Sequence, residues 1–411
     1  MELSIQQDWK LTKLSYLAEK IMVGIASAAT HAYRAKGIPM FRNQNIKSGY
    51  LDDGDLLFIT PEYETVFRNK RLRTGDLVTM RTGYPGVTAI VPAQYDQSQS
   101  FTTLITRPKK GAIDSIFLCH YINSEFGKKF FEQSQIGGAQ KNVNASTLRG
   151  MLIPVPPRQE QLAIGKSISD VDALIAGLEK LIAKKRDLKQ AAMQQLLTGQ
   201  TRLPGFSGEW AVKRLGDVGE CLRGVSYKGD ADLFPHDTDR SKRLLRSNNV
   251  QESLVVTSDL QYVKVDRVRE HQVLREGDIL ICMANGSKAL VGKAGYFEIN
   301  GGFEYTFGAF MGAYRGNEQA NRRFVFYLFQ TNRYRDYITN LLAGSSINNL
   351  SPSSIESLEF NFPELDEQDA IAQALRDMDG ELASLESRLA KTHTIKQGMM
   401  QELLTGKTRL V

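Results

Sequence analysis

The sequence predicts an α/β (α+β) protein in which two mixed α/β globular domains are separated by two long antiparallel helices, forming a pseudo-twofold tandem repeat. Two internal matches carry this prediction. The segment LLTGQTRL at Leu196–Leu203 recurs as LLTGKTRL at Leu403–Leu410, 207 residues later. Glu160–Ile164 matches Glu367–Ile371 at the same separation, except at one position. A period this long exceeds that of solenoid repeats, so each half is the size of a domain.

The front part of each half, residues 1–155 and 204–360, has the mixed pattern of an α/β domain. Gly75–Met80 and Gly277–Cys282 each resemble a turn that leads into a buried strand. A helical pattern follows each strand, at Ile113–Phe131 and at Arg322–Leu342. These front parts are predicted to be separate globular domains.

The back part of each half, residues 156–203 and 361–411, predicts a long helix. Pro156-Pro157 precedes the first helix and Gly199 follows it, which are typical boundary signals. A helix from Arg158 to Leu197 would be about 40 residues, or roughly 60 Å, long. Its apolar residues alternate three and four apart, as in the seam of a coiled coil. The seam residues are Ile168, Val171, Ile175, Leu178 and Ile182 in the first helix, and Leu375, Met378, Leu382, Leu385 and Leu389 in the second.

Two packing arrangements would bury these seams. Each helix could pack on its own domain, although a globular domain rarely needs a helix of roughly 60 Å. Pairing the two helices with each other explains both the seam and the equal lengths. The first helix leads away from the first domain and the second must return, so the pair is predicted to be antiparallel and to act as a spacer.

Composition narrows the class of protein. The 411 residues carry a net charge of +6, which allows an anionic partner without requiring one. Three cysteines (Cys119, Cys221 and Cys282) form no disulfide or zinc spacing. No apolar run reaches the roughly 18 residues of a membrane span, and the first ten residues lack a signal-peptide core. We therefore expect a soluble, cytoplasmic protein.

Catalytic and metal-binding signatures are weak in this sequence. Gly286–Ala294 (GSKALVGKA) resembles a phosphate-binding loop but has the wrong glycine spacing and lacks the required Ser or Thr. No Asn/Asp-Pro-Pro-Tyr methyltransferase motif, nuclease Pro-Asp pair or hydrolase elbow is present. His120 shares an apolar helical stripe with Phe117 and Tyr121, which favours a core histidine over a metal ligand. The sequence predicts neither a catalytic nor a metal site.

Both front parts contain turns rich in basic and amide side chains. Arg and Lys suit phosphates and guanine edges, whereas Asn and Gln suit adenine edges. The turns Arg42–Asn45 and Arg246–Asn249 align with each other. Solvated loops use the same residue types, so each turn is a weak signal by itself. The candidate DNA contacts are Arg42, Asn43, Asn45, Arg81, Tyr84, Lys141, Asn142, Arg246, Asn248, Lys288 and Asn348.

The duplicated helix boundaries resemble those of a known family. The start segments PPRQEQLAI (Pro156–Ile164) and PELDEQDAI (Pro363–Ile371), together with the two LLTG-x-TRL end segments, resemble the specificity subunits of type I restriction–modification systems. The resemblance covers essentially the whole chain. Asp369 stands where Leu162 stands in the first copy, and we expect this change to weaken one packing contact.

The resemblance implies a division of labour among subunits. Residues 1–155 and 204–360 would be target-recognition domains, each reading one half of a bipartite double-stranded DNA site, and the helices would set the gap between halves. Two adenine methyltransferase subunits and the restriction subunits would be the protein partners. S-adenosylmethionine, ATP and Mg would bind to those subunits, and no cofactor to this chain. An enzyme with a degenerate site and a scaffold that does not bind DNA remain as alternatives.

Overall fold

The computed structural model describes residues 8–134, 142–251, 253–298, 301–343 and 348–410. The chain divides into two compact units: unit 1 contains residues 1–180 and 386–411, and unit 2 contains residues 181–385. Each unit comprises one globular domain, the first part of the long helix that follows it and the last part of the other long helix. The units therefore divide the chain differently from the four predicted segments.

Unit 1 combines short strands with short helices. Its strands are β1 (Lys10–Lys13), β2 (Ala18–Val23), β3 (Tyr33–Arg34), β4 (Ile38–Phe41), β5 (Leu57–Ile59), β6 (Leu77–Thr79), β7 (Thr88–Ile90), β8 (Gln99–Ser100), β9 (Leu104–Pro108) and β10 (Leu152–Val155). Its helices are α1 (Leu14–Leu17), α2 (Pro61–Val66), α3 (Ser115–Asn123), α4 (Glu125–Gln133) and α5 (Ala145–Arg149), followed by the long α6 (Arg158–Leu196), which continues into unit 2.

Unit 2 has the same mixture of elements. Its strands are β11 (Ala211–Arg214), β12 (Gly219–Arg223), β13 (Leu233–Phe234), β14 (Ser241–Leu245), β15 (Val250–Gln251), β16 (Leu254–Val255), β17 (Gln261–Lys264), β18 (Ile279–Cys282), β19 (Ala294–Tyr296), β20 (Tyr305–Phe307), β21 (Met311–Gly316) and β22 (Glu359–Phe362). Its helices are α7 (Arg322–Leu328), α8 (Asn332–Ala343) and α9 (Pro352–Glu356), followed by the long α10 (Leu365–Leu403), which continues into unit 1.

The two units share one sheet topology. In unit 1 the strand orders are β1-β10, β2-β9-β6-β7 and β3-β5-β4-β8. In unit 2 they are β11-β22, β12-β21-β18-β19-β16-β15 and β13-β17-β14-β20, so a β15–β16 hairpin is the addition to the common pattern. The predicted α/β tandem repeat is therefore confirmed in strand order as well as in sequence.

The predicted turn-and-strand signals are confirmed in both units. Gly75 and Gly277 have φ angles of +85° and +87°, which other residues rarely adopt, and strands β6 and β18 follow directly. The adjacent aspartate, Asp76 or Asp278, is buried and pairs with an arginine 2.7 Å away. A buried carboxylate requires such a partner, so the turn and the pair together fix where the central strand begins.

The two predicted helical patterns of the front parts are confirmed, each as two shorter helices, α3 and α4 in unit 1 and α7 and α8 in unit 2. In unit 1, Ser124 adopts an extended conformation and its side chain caps α4 by accepting a hydrogen bond from Gly127 N. In unit 2, Thr331 accepts a hydrogen bond from Tyr334 N at the start of α8. Ser and Thr compete for backbone donors in this way, which a hydrophobic pattern alone does not reveal.

The long helices are confirmed, with 39 residues each. The first turns of α6 place Ile164 and Ile168 in the core of the unit 1 domain, where Leu403 and Leu404 from the end of α10 also pack. In unit 2 the same arrangement recurs, because the core there contains the start of α10 and the end of α6. Each domain therefore packs against both long helices, its own and the one that returns to it.

Candidate functional site

The predicted basic and amide residues of unit 1 meet on one face of the domain. Asn43 Nδ2 donates to Thr82 Oγ1 at 2.8 Å, and Arg81 N donates to Asn43 Oδ1 at 3.2 Å. Arg81 Nε also donates to Asn142 Oδ1 at 2.9 Å. Three segments far apart in sequence are thus tied together by their own polar side chains. We call Arg42, Asn43, Gln44, Arg81, Tyr84 and Asn142 the first polar face.

Unit 2 builds a second polar face from the equivalent segments. Asn285 Nδ2 donates to Ser247 Oγ at 3.5 Å, and Asn348 Nδ2 donates to Gly286 O at 3.3 Å. Ala284 forms a β-bridge with Asn349, just as Thr82 does with Asn142 in unit 1. The second polar face comprises Arg246, Ser247, Asn248, Asn285, Lys288 and Asn348.

An arginine–aspartate network holds the leading turn of each face. Arg42 Nη2 donates to the carboxylate of Asp55 at 2.8 Å, and Gln44 Nε2 donates to the same carboxylate at 2.6 Å. In unit 2, Arg246 and Asn248 make the matching contacts to Asp259, at 3.2 and 2.8 Å. Neither aspartate was predicted from the sequence to belong to the site, although each of them lies 13 residues after the arginine that it contacts. Such a network fixes the guanidinium before any ligand arrives.

Asn45 has a structural role in the turn, and its prediction as a DNA contact stays a prediction. Its side chain is buried: Oδ1 accepts from Arg42 N at 2.9 Å, and Nδ2 donates to the carbonyls of Asp52 and Asp55. Asn249 occupies the same position in unit 2, with Oδ1 accepting from Arg246 N at 2.9 Å. An amide whose two ends are both bonded to backbone groups stabilises the turn.

The remaining predicted contacts differ in their surroundings. Tyr84 is 77% exposed at the tip of its loop. Lys288 Nζ donates to Leu342 O at 3.2 Å, near the end of α8, where a cation also complements the helix dipole. Lys141 lies outside the described residues. None of these positions is tested for DNA contact by the structure, and all stay predictions.

A cavity of about 630 Å³ opens beside the second polar face. It is lined by part of that face, by the neighbouring Asp259 and by the turn between β20 and β21. The lining residues are Ser226, Tyr227, Arg246, Ser247, Asn248, Asp259, Gly308, Ala309, Phe310 and Met311. Guanidinium, amide, carboxylate and aromatic groups therefore meet in one concave surface.

The two long helices contact each other in antiparallel orientation within each unit. In unit 1, Lys396 Nζ lies 2.5 Å from Asp172 Oδ1, and the next contact along the pair joins His393 to Glu179. Residue numbers thus rise along α6 as they fall along α10. In unit 2, Lys185 Nζ lies 2.6 Å from Glu381 Oε1. The predicted pairing of the helices is confirmed.

The predicted seam residues are covered to different extents. Ile168, Ile175, Leu178, Ile182 and Leu375 are buried, whereas Val171, Met378, Leu382, Leu385 and Leu389 are half-buried. Charged pairs flank this stripe, as they do in coiled coils. The energetic contribution of each seam residue to pairing stays a prediction.

The repeated end segments bind the repeated start segments. In unit 1, Arg409 from the end of α10 donates through Nε and Nη2 to Glu160 at the start of α6, at 2.5 and 2.8 Å. The Arg409 guanidinium also lies 6.0 Å from the ring centroid of Trp9. This Trp–Arg–Glu contact, which we call the unit 1 clamp, joins the end of one long helix to the start of the other.

Unit 2 contains the same clamp. Arg202, from the end of α6, donates through Nε and Nη2 to Glu367 at the start of α10, both at 2.5 Å. Trp210 Nε1 donates to the same carboxylate at 3.2 Å. We call this contact the unit 2 clamp. Neither clamp was predicted from the sequence, although Arg202 and Arg409 occupy the same position of the repeated end segment.

The glutamine after each clamp glutamate ties the helix to its own domain. Gln161 Oε1 accepts from Asp114 N at 2.7 Å, and its Nε2 donates to Pro156 O. Gln368 makes the matching contacts with Asn321 N at 2.9 Å and with Pro363 O. Each Glu-Gln pair thus joins the domain, the outgoing helix and the returning helix at one point.

Asp369 and its counterpart Leu162 lie at an exposed position of their helices, and the weakening of one packing contact stays a prediction. The Leu162 side chain is 48% exposed. Asp369 is exposed too, and its Oδ1 accepts a hydrogen bond from Asn321 Nδ2 at 2.6 Å. This position faces outward in both helices, and a carboxylate is therefore tolerated there.

His120 is a core histidine, as predicted. Its Nε2 lies 3.0 Å from Ser169 Oγ on α6. Burial lowers its pKa to about 4, outweighing the opposing effect of nearby Asp172. Burial also raises the pKa of the Cys119 and Cys221 thiols to about 12. These groups stay neutral and serve packing.

The described part of the chain contains neither a cluster of metal ligands nor a membrane-spanning helix. Among those residues, no cluster of three or more His, Cys, Asp or Glu side chains is placed to hold a metal ion. Within the same ranges, no helix combines the length and hydropathy needed to cross a membrane.

Comparison with known proteins identifies the family. A family model for the type I restriction modification DNA specificity domain matches residues 6–185 and 207–392. The StySPI specificity subunit of Salmonella potsdam is 33% identical over 197 residues, which are 48% of this chain and 42% of that protein. The putative MjaX specificity subunit of Methanocaldococcus jannaschii is 23% identical over 428 residues, covering 99% and 95% of the two chains.

The fold also matches a solved structure. The crystal structure of the type I restriction–modification S subunit from M. genitalium aligns with a TM-score of 0.63 at 14% identity, covering 97% of this chain and 96% of that one. At such low identity the match supports the fold alone. The family model, however, matches most of both halves. The chain therefore belongs to the type I restriction–modification DNA specificity family.

Proposed function

We propose that this chain is the sequence-specific DNA-binding subunit of a type I restriction–modification complex. Each globular domain reads one half of a bipartite double-stranded target. The observation that carries this proposal is the duplicated polar face, in which Arg42 and Arg246 stand at the same position of the same turn. A protein that read no bipartite site would have no evident need for two such faces.

The chemistry of the faces suits base edges in the major groove. Arginine donates to guanine, and asparagine or glutamine pairs with adenine. The Nε atoms of Arg42 and Arg246 are buried, and no hydrogen-bond partner for them lies within the described residues. The faces also differ where Asn43 corresponds to Ser247 and Gln44 to Asn248. Two similar faces with different side chains would read two different half-sites.

The paired helices set the unread gap between the half-sites and dock two methyltransferase subunits. Adenine methylation and restriction are then carried out by the partner subunits, and this chain is not itself an enzyme. S-adenosylmethionine, ATP and Mg bind to those partners. Supporting this division, the buried titratable groups described above serve packing and pairing, and the clamps hold both helices at fixed positions on each domain.

Selection from a randomised duplex library tests the proposal, with the full chain alone and with its methyltransferase subunit. We expect a bipartite sequence to be enriched, and binding to weaken steeply with salt because counterions are released from phosphates. The pure chain should transfer no methyl group by itself. Failure to enrich any sequence in either preparation would refute the proposal and favour a scaffold, and methyl transfer by the chain alone would favour an enzyme.

Matched arginine variants assign the faces to the half-sites. Arg42→Ala should relax sequence preference in one half-site and Arg246→Ala in the other. Arg214, on strand β11 and 65% exposed at its side chain, provides a control that removes one charge away from both faces. If both face variants changed the same half-site, the assignment of one domain to each half would be wrong.

A further inference from the structure

The turn that lines the cavity is longer in unit 2 than in unit 1. In unit 1, Ile25 N donates to Ser100 O and Gly24 N donates to Thr103 O, which leaves two residues between the acceptors. In unit 2, Val225 N donates to Phe307 O and Gly224 N donates to Met311 O. Here three residues, Gly308–Phe310, lie between the acceptors. Unit 2 therefore has one additional residue at this point of the shared fold.

The longer turn presents an aromatic side chain to solvent. Phe310 is 72% exposed, whereas Phe101, the aromatic residue of the unit 1 turn, is half-buried against the apolar cluster that contains Ile25. Phe310 stands on a rigid support, because its carbonyl accepts hydrogen bonds from Met283 N at 2.9 Å and Ala284 N at 3.1 Å. Gly308 N donates in addition to Leu245 O at 3.0 Å. The ring is thus held outward by a fixed backbone.

The ring lines the same cavity as the basic and amide groups of the second polar face. Arg246, Asn248 and Tyr227 share this lining with Phe310. Arg246 Nη2 and Asn248 Nδ2 are both held by Asp259, so the polar groups have a fixed position relative to the turn. An exposed aromatic ring on a fixed backbone, beside a hydrogen-bonded guanidinium, is an arrangement that can recognise two neighbouring bases at once.

We propose that Phe310 contacts the 5-methyl group of a thymine in the half-site read by unit 2. This inference rests on the proposed function and names one base within its target. Apolar side chains recognise thymine through that methyl group in the major groove, next to the guanine and adenine edges that Arg and Asn read. In unit 1 the aromatic residue of the corresponding turn, Phe101, is half-buried, so we expect no matching thymine contact from that turn.

Insertion between base pairs is the other use that proteins make of an exposed phenylalanine. An inserted side chain lies between two base pairs and not at the base edges in the groove. Phe310 instead forms part of a cavity wall together with Arg246 and Asn248. Side-on contact with a base edge fits this position better than insertion does.

Deoxyuridine substitution tests the proposal directly, because it removes only the methyl group of thymine. In the selected duplex, each thymine is replaced in turn and the affinity is measured for the wild-type chain and for Phe310→Ala. We expect one thymine of the unit 2 half-site to lose about fourfold in affinity with the wild-type chain, a ratio that corresponds to the ~0.8 kcal/mol of one buried methyl. The same replacement should have no effect on Phe310→Ala.

Two further variants serve as controls. Leu254→Ala truncates a side chain of the same unit that is 64% exposed and outside the cavity lining, and it should retain the wild-type deoxyuridine pattern. Phe310→Leu keeps an apolar side chain and should retain part of the preference. All variants are compared with the wild-type chain by thermal unfolding, since an exposed ring should contribute little to stability.

The outcomes separate this inference from the function on which it rests. If the wild-type chain selects a bipartite site but no thymine responds differently in Phe310→Ala, the inference is wrong and the function stands. If Phe310→Ala weakens binding whether or not the methyl groups are present, Phe310 acts as a wedge and the methyl contact is refuted. If no sequence is selected at all, both fail together.

Discussion

The unit 2 clamp should make a large contribution to stability, and Glu367→Gln tests it. Glu367 is 2% exposed at its side chain and accepts three hydrogen bonds, two from Arg202 and one from Trp210. Glutamine has nearly the same shape but carries no charge. Its amide nitrogen would also face a donor where a carboxylate oxygen now accepts. The change therefore removes the interaction without leaving a cavity.

The magnitude follows from the contacts that are lost. A hydrogen bond to a charged group contributes about 1.5–3 kcal/mol, and glutamine can keep one acceptor in place. Part of the loss is recovered because a quarter of the Arg202 side chain already reaches water. We therefore expect the Glu367→Gln change to lower the free energy of unfolding by about 2 kcal/mol. With a urea m-value of about 2 kcal/mol/M, this lowers the midpoint by about 1 M.

The chain contains its own reporters for this experiment. It has two tryptophans, Trp9 in the unit 1 clamp and Trp210 in the unit 2 clamp. In a Trp9→Phe background, urea unfolding followed by fluorescence reports on Trp210 alone. One reporter for each unit is needed because a chain with two compact units need not unfold in a single step.

A matched control decides the result. Glu359→Gln removes an ion pair with Arg214 in the same unit, but the two side chains are 48% and 65% exposed. Such exposed pairs contribute about 0–1 kcal/mol. The reasoning would be refuted if Glu367→Gln lowered the urea midpoint reported by Trp210 no more than Glu359→Gln does. The unit 2 clamp would then contribute little to the free energy of unfolding.

Three further predictions concern the helices and the core. A fragment of residues 1–206 should dimerise and, together with the methyltransferase subunit, modify a palindromic site. A fragment that is strictly monomeric by ultracentrifugation would contradict this. Leu178→Asp should abolish the dimer because a buried unpaired charge costs several kcal/mol. Inserting one heptad in both long helices adds about 10 Å and should lengthen the preferred gap between half-sites by roughly three base pairs. The gap is measured by mapping methylation on a library of DNA sites with different gap lengths. An unchanged gap preference would exclude the helices as the spacer. His120 has a pKa of about 4 in the folded protein, below its unfolded value of about 6.5. Between these two pH values the unfolded state binds a proton that the folded state does not bind. The free energy of unfolding therefore falls as the pH falls, by about 2 kcal/mol from pH 7 to pH 5. A His120→Asn variant should lack that part of the pH dependence in urea unfolding, and equal slopes for the two proteins would contradict it.

The candidate site was only partly predictable from the sequence. Arg42 and Arg246 were found because their turns align within the repeat. The structural role of Asn45 was not predicted, because a buried capping amide and an exposed amide look alike in a sequence. Phe310 was missed for a related reason, since the segment Phe307–Met311 gives no sign of which phenylalanine faces solvent. Burial is decided by the β20–β21 turn, whose extra residue becomes visible only when the hydrogen bonds of the two units are compared.

The duplication, the two long helices and their antiparallel pairing were predictable from the amino-acid sequence alone. These features depend on local spacing, because an alternation of three and four residues places one apolar stripe along a helix wherever that helix ends up. The boundary prolines and glycines are local signals as well. No information about distant partners was needed for any of them.

The tertiary structure decided which ends meet. Arg409 and Glu160 are 249 residues apart, and Arg202 and Glu367 are 165 apart. A repeated segment shows that two regions of the chain are similar, but it does not show what either region contacts. The folded chain shows that the arginine of each end segment contacts a tryptophan and the glutamate at the start of the other long helix, forming the two clamps. The end segments repeat because each of them completes one clamp. The buried glutamate of each clamp requires a positively charged partner, and the arginine after the returning helix supplies it.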